Sequence, residues 1–144
     1  MKRYELTRKE AGRGLSEDSG ELAERIVSEQ YERFSRFGVE NFDVSTDSGQ
    51  LGEVKSTATE LPSGAKGRFR LFKNQHERLL RANREGSAKY VFVLFDVSGR
   101  PVVARLKQQE PAKIGRQIGA RGGWNQSGHP SGPQYKLPIS AVFD

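Results

Sequence analysis

The chain has 144 residues, no cysteine, two histidines and a net charge of +6. Its length suits one domain with a core of its own, and the lack of cysteine excludes disulfides, thiolate metal sites and cysteine nucleophiles. It has no signal-like start and no apolar run of about 18 residues, so we expect a soluble, cytoplasmic protein that does not bind a membrane.

Positive charge is concentrated in two segments. Between Lys66 and Lys89, eight lysine or arginine residues stand against two glutamates, and from Pro111 to Phe143 there is no acidic residue. Because neither segment combines this charge with a strong apolar face, a nucleic acid fits better than a membrane as the partner. A basic surface without a partner is the alternative interpretation.

The N-terminal part is expected to be a loose tail followed by an amphipathic helix. Residues 1–15 are polar, basic and aperiodic, which predicts a flexible tail. From Ser16 or Ser19, an N-cap and early acidic residues lead into apolar residues at helical spacing, and Gly38 ends the pattern. The apolar stripe consists of Leu22, Ala23, Ile26, Val27, Tyr31, Phe34 and Phe37.

A β-hairpin is predicted over residues 42–57, because two arms rich in β-forming residues flank the turn sequence Asp-Ser-Gly at 47–49. A three-residue loop at these positions places Asp43 directly opposite Glu53, with Lys55 on the same face. A two-residue loop would put the two carboxylates on opposite faces.

Two carboxylates facing each other across a strand pair need a positive charge between them. At about 4 Å and an effective dielectric near 20, their repulsion is on the order of 4 kcal/mol. Converging oxygen ligands with room for water and a phosphate are typical of Mg²⁺ or Mn²⁺ sites, beside which Lys55 would orient the water. An exposed strand of alternating charge is the alternative, because about one acid-x-Lys triplet is expected by chance in this composition.

The second half of the chain alternates helices and strands. The pattern predicts a helix near 71–84, a strand buried on both faces over 89–95, a more peripheral strand over 101–106, a short helix over 111–119 and an extended piece over 135–143. Charged neighbours predict a surface position for His76. We expect one α/β domain in three parts: the tail (1–15), a core (16–108) and a basic Gly-rich extension packed on it (109–144).

Three motifs occur in an order that resembles the PD-(D/E)XK nuclease superfamily. The segment Gly20–Arg25 resembles the G-x-x-x-E-R motif of archaeal Holliday junction resolvases. Gly52–Thr57 resembles the E-V-K-S/T strand of those resolvases and of NO VEIN-type nuclease-like domains, and 69–95 is similar at matching positions. The resemblance covers roughly residues 19–97 and implies a restriction-endonuclease-like core, a central mixed β-sheet flanked by helices.

The resemblance implies a metal site. Asp43, Glu53 and the backbone carbonyl of Val54 would ligate Mg²⁺, with Mn²⁺ as a substitute. Asp47 is the alternative ligand, because Thr46-Asp47 also resembles the proline-aspartate element of the family. Asp43 is preferred, because the turn already explains Asp47.

The resemblance also assigns catalytic roles. Lys55 would activate water, Glu24 would reach the metal or a bound water, and Gln75 would position Lys55 or the phosphate. Without the resemblance, Glu24 is a solvated helix residue and Gln75 caps a neighbouring backbone group. Family members hydrolyse DNA, often as homodimers.

The resolvases have an extra strand before the catalytic aspartate, whereas residues 38–42 leave room here only for a truncated hairpin or a lost first strand.

Several basic and aromatic residues are candidates for nucleic-acid contacts. Arg68 and Arg70 alternate on an extended segment, and guanidinium groups pair bidentately with phosphate. Trp124 could stack on a base or sugar, or pack on its own domain. The full set is Arg68, Arg70, Lys73, Arg116, Arg121 and Trp124.

The function expected from these residues is a Mg²⁺-dependent DNA endonuclease, with a junction-selective enzyme as the leading subclass. Two alternatives remain: an inactive nuclease-fold module that binds nucleic acid, and an RNA-associated basic protein in which the hairpin is a scaffold. The complete set of Asp43, Glu53 and Lys55 argues against the first alternative, because inactive members commonly lose one of the three.

Overall fold

The computed structural model describes residues 1–14, 19–31, 35–36, 44–45, 50–84, 88–126, 128 and 130–143. The strands in these ranges are β1 (Lys2–Glu5), β2 (Ser35–Arg36), β3 (Val44–Ser45), β4 (Leu51–Ala58), β5 (Arg68–Phe72), β6 (Ala88–Asp96), β7 (Val103–Gln109) and β8 (Gln134–Pro138). The helices are α1 (Arg8–Gly14), α2 (Ser19–Gln30), α3 (Lys73–Arg84) and α4 (Pro111–Ala120), and a 3₁₀ turn covers Ile139–Ala141. None of the described helices is long and apolar enough to span a bilayer.

Two sheets organise the described part of the chain. Six strands form one mixed sheet in the order β1-β7-β6-β4-β3-β2, in which β4 and β6 run parallel and the other neighbours antiparallel. Strands β5 and β8 form a separate antiparallel ribbon, called the ribbon below. Helices flank the mixed sheet, so the predicted α/β class with a restriction-endonuclease-like core is confirmed.

Side chains on the two faces of the sheet enter two cores, because successive residues of a strand point to opposite faces. The first core joins the sheet to α2 and contains Leu6, Leu22, Ala23, Ile26, Val27, Val54, Ala58, Val91, Val93, Phe95, Val102, Ala104 and Leu106. The second core joins it to α3, α4 and the ribbon and contains Phe69, Leu71, Leu79, Ala88, Tyr90, Phe92, Leu94, Ile114, Ile118, Leu137, Val142 and Phe143. Strand β6 is buried on both faces, as its apolar run predicts.

The predicted N-terminal tail is wrong. Strand β1 pairs with β7, Leu6 is buried in the first core, and α1 follows. Glu10 is 9% exposed and accepts hydrogen bonds from the Thr7 backbone N–H, the Tyr4 hydroxyl and the Arg25 guanidinium of α2. These contacts join the N-terminal segment to α2, so it is an integral layer of the fold.

The ionisation of Glu10 depends on the same contacts. Burial raises the pKa of the carboxyl, but the Thr7 backbone N–H, the Arg25 guanidinium and the Tyr4 hydroxyl together lower it to about 2. Each of these donors favours the charged form of the acid. Folding therefore stabilises the Glu10 carboxylate relative to the unfolded chain.

Three predicted boundaries also need correction. Helix α2 ends at Gln30 instead of near Gly38. Strand β2 follows it and pairs with β3, so a strand precedes β3, where a truncated hairpin or a lost first strand was expected. The helix predicted from residue 71 begins at Lys73, because residues 71 and 72 complete β5, where they pair with β8. Strand β7 covers Val103–Gln109 instead of 101–106, and it lies between β6 and β1, one place nearer the edge of the sheet than β6, as predicted.

Candidate active site

The hairpin that carries the two predicted acidic residues has the predicted register. Val44 pairs with Gly52 and Ser45 with Leu51, in antiparallel orientation. These are the pairs on which the expected match of Asp43 with Glu53 depends. Asp43 and the alternative ligand Asp47 lie outside the described residues, so the choice between them stays a prediction.

Glu53 and Lys55 lie on the face of β4 that turns towards the second core. Glu53 is 4% exposed, and its Oε1 atom is 3.8 Å from the Lys55 ammonium. The same alternation sends the intervening Val54 into the first core. Strand geometry therefore brings the acid and the base of the Glu-x-Lys motif together, and a buried carboxylate favours a nearby cation.

Gln75 comes from a different element and fixes the Lys55 ammonium. Lys55 Nζ donates a 2.6 Å hydrogen bond to Gln75 Oε1 in the first turn of α3. The ammonium also lies 5.5 Å from the centre of the Phe72 ring, at the end of β5. A charge-assisted hydrogen bond and a cation–π contact both favour the protonated amine and hold it in one place. Of the two roles expected for Gln75, the structure thus contains the contact with Lys55.

A buried tyrosine–histidine pair lies next to Glu53. Tyr90 is the β6 neighbour of Glu53 in the parallel register, and its hydroxyl is 2.7 Å from His76 Nδ1. Burial, and secondarily the charge of Glu53, raise the pKa of Tyr90, while burial lowers the pKa of His76. Both side chains are therefore neutral near pH 7 and can form a neutral hydrogen bond.

The predicted surface position of His76 is wrong, because its side chain is only 4% exposed. The signal that was missed is its spacing: His76 stands three residues before Leu79, on the same stripe of α3. The imidazole also lies against α4, where a Cβ added to Gly115 would be 2.9 Å from His76 Nε2. A glycine at this position allows the α4 backbone to approach the ring.

Glu24 lies on α2, which packs against β4 through the first core. Glu24 is half-buried, and its backbone carbonyl accepts a hydrogen bond from the Ser28 hydroxyl. Because the first core and the Glu53 side chain are on opposite faces of β4, the part expected of Glu24 in catalysis stays a prediction.

The candidate nucleic-acid contacts fall into two groups. Arg68, Arg70, Arg116 and Arg121 are exposed, and Lys73 is half-buried at the start of α3. Trp124 is half-buried, packs against the second core and lies 5.3 Å from the His76 ring between centroids. The indole therefore packs on its own domain, which was the alternative interpretation for this residue.

The donor chemistry at the hairpin suits a hard divalent cation. Carboxylate and carbonyl oxygens are the ligands that Mg²⁺ takes in proteins, usually with only one or two carboxylates. In the described ranges, no three histidine, cysteine or acidic side chains surround one point. Glu53 and the Val54 carbonyl would supply part of such a site, and a second carboxylate would have to come from the other arm of the hairpin.

Comparison with known proteins gives the family. A model described as a PD-(D/E)XK nuclease superfamily domain matches residues 10–144, which includes both arms of the hairpin, α3 and the C-terminal segment. A search of curated proteins found no match. The match covers nearly the whole chain and agrees with the mixed sheet flanked by helices. The chain belongs to the PD-(D/E)XK nuclease superfamily.

Proposed function

We propose that this protein is a metal-dependent endonuclease that hydrolyses DNA phosphodiesters with water as the nucleophile and without a covalent intermediate. The observation that carries the proposal is the arrangement around Lys55. A half-buried ammonium lies 3.8 Å from the Glu53 carboxylate and donates a 2.6 Å hydrogen bond to Gln75. Three polar side chains from β4 and α3 thus converge at the site proposed here.

Asp43, Glu53 and the carbonyl of Val54 would hold Mg²⁺, or Mn²⁺ in its place. A divalent ion bound there supplies a more acidic water and a polarised phosphate oxygen. The buried position of Glu53 keeps its carboxylate in one orientation, and the Lys55 ammonium offsets part of its charge until the ion binds.

Lys55 would orient the attacking water and stabilise charge that develops on the phosphate. Gln75 keeps the ammonium from swinging fully onto Glu53, and Phe72 covers one side of it. Glu24 would complete the site from α2 through a bound water. Orientation of a reacting group accounts for much of enzymatic rate enhancement, so the hydrogen bond to Gln75 is expected to matter for the rate.

The substrate in this proposal is DNA, and the enzyme acts as a homodimer with a preference for branched DNA. The net charge of +6 and the exposed arginines favour a polyanion. Sedimentation equilibrium of the purified protein measures the assembly state, and a monomer at all concentrations would contradict the dimer.

Cleavage assays test the proposal directly. The substrates are a labelled duplex, a single strand, a four-way junction and an RNA duplex, each with Mg²⁺ or with EDTA. We expect cutting of at least one DNA substrate only with metal. Glu53→Gln should abolish cutting and keep binding, whereas the exposed Glu60→Gln, a matched control on the segment that follows β4, should cut normally.

Other outcomes would favour the alternatives. Binding of all substrates without any cutting would indicate an inactive binding module. Preference for RNA would indicate an RNA-associated protein. Metal-independent cutting would contradict the proposed chemistry itself.

A further inference from the structure

The ribbon presents an exposed basic face. Its inner side chains, Phe69, Leu71 and Leu137, are buried in the second core. Its outer positions Arg68, Arg70 and Lys136 are exposed. The ribbon is therefore anchored on one side by apolar packing and offers a row of cations on the other.

The placement of these cations is unfavourable for the protein alone. Arg70 and Lys136 are directly opposite in the antiparallel register, where like charges destabilise a strand pair. The ion pairs of the described ranges join other residues, so no acidic side chain there neutralises Arg68, Arg70 or Lys136. Such repulsion is relieved when a polyanion binds across both strands.

The same outer row leads to the candidate active site. Phe72 follows Arg68 and Arg70 at the next outward position of β5, and its ring contacts the Lys55 ammonium. Four residues of strand span about 13 Å, which corresponds to about four base-pair steps of DNA. A duplex lying along the ribbon would therefore bring a phosphate within a few base pairs of the cations to Lys55.

We propose that the ribbon enters the major groove of duplex DNA beside the bond that is cut, with Arg68 and Arg70 on base edges and Lys136 on a phosphate. The major groove, about 12 Å wide, admits a two-stranded ribbon, whereas the minor groove is about half as wide. Arginine in the major groove pairs with guanine O6 and N7. This inference rests on the proposed function, because Lys55 defines where the cut falls.

Methylation interference tests the groove. Dimethyl sulfate methylates guanine N7 in the major groove and adenine N3 in the minor groove, and binding of the treated duplex is measured in Ca²⁺ so that it is not cut. We expect guanine N7 methylation within about four or five base pairs on one side of the site to reduce binding roughly tenfold or more. An RNA duplex, whose major groove is deep and narrow, should bind more weakly than DNA.

Two variants make the test specific. Arg70→Gln should lose the interference at the guanine that Arg70 contacts and keep the interference at the guanine that Arg68 contacts. Arg121→Gln, a matched control at an exposed arginine that follows α4, should weaken binding evenly and keep the interference pattern. Circular dichroism of both variants checks that they are folded.

Interference only at adenine N3, no interference at any base, or equal affinity for RNA and DNA duplexes would overturn the inference. Its failure is separate from that of the proposed function. Cutting in Mg²⁺ without N7 interference leaves the nuclease proposal standing and removes the ribbon from the groove. N7 interference without cutting contradicts the nuclease proposal and leaves the ribbon in the major groove.

Discussion

Replacing Gln75 by leucine tests whether the hydrogen bond to Lys55 organises the site. Leucine has a similar volume and keeps helix propensity, so the main loss is the 2.6 Å bond to the ammonium. A hydrogen bond to a charged group contributes about 1.5–3 kcal/mol, and the Lys55 side chain is only 13% exposed, so water replaces it poorly. We expect the free energy of unfolding to fall by about 2 kcal/mol.

The same change should slow DNA cutting. Lys55 stays charged, because its attraction to Glu53 at 3.8 Å is on the order of 4 kcal/mol at an effective dielectric of 20. Without Gln75 the ammonium is drawn towards Glu53 and away from the water it orients. A loss of 1.5–3 kcal/mol in the transition state corresponds to a rate roughly tenfold to a hundredfold lower.

Gln117→Leu is the matched control, because Gln117 is a helical, part-buried glutamine that donates a 2.9 Å bond to the Ala141 carbonyl. Loss of this neutral bond should cost about 1 kcal/mol and leave cutting unchanged. Urea unfolding and single-turnover cleavage measure the two quantities. Equal destabilisation by both leucine variants, together with unchanged cutting by Gln75→Leu, would refute the assigned role.

Other predictions concern the N-terminal layer and the buried histidine. The pKa of Glu10, about 2 when folded against an ordinary 4.5, makes the folded state more stable above about pH 4.5 and removes this contribution as the pH falls towards 2. The difference is at most about 3 kcal/mol in unfolding free energy, measured by urea titration at each pH. Glu10→Gln should flatten that dependence while the exposed Glu5→Gln keeps it; parallel curves would contradict this. Gly115→Ala should lower the melting temperature by forcing its Cβ onto His76, and the double variant with His76→Ala should lose less than the sum of the two single losses. An additive double variant would count against the contact. Tyr90→Phe should cost about 1–3 kcal/mol, because His76 Nδ1 then lacks its partner, and no change in calorimetric stability would argue against the pair.

The sequence predicted the hairpin well because its information is local. The turn sequence Asp-Ser-Gly at 47–49 predicted the register in which Val44 and Ser45 pair with β4, and the alternation of β4 then determines which side chains share a face with Glu53. The contact between Gln75 and Lys55 could also be predicted, because the family resemblance implied it. No rule of local sequence would have indicated this contact.

The elements that were missed depend on distant partners. Strand β1 is charged and short, and only its pairing with β7, about 100 residues later, makes it a strand. Helix α2 stops at Gln30 although the apolar pattern continues, because Ser35 and Arg36 pair with β3. His76 is buried against Tyr90 and α4. The residues next to His76 in the sequence do not reveal these contacts.

The position of β1 has a consequence for the behaviour of shortened chains. It is the outer strand of the sheet, four residues long, with Lys2, Arg3 and Glu5 exposed. Short charged strands of this kind prevent sheets from adding a strand of another molecule. Without residues 1–5, the seven-residue β7 would become an edge strand with unpaired N–H and C=O groups. It carries fewer charged side chains than β1. A chain shortened in this way is expected to self-associate through its backbone, so the first few residues protect solubility as well as stability.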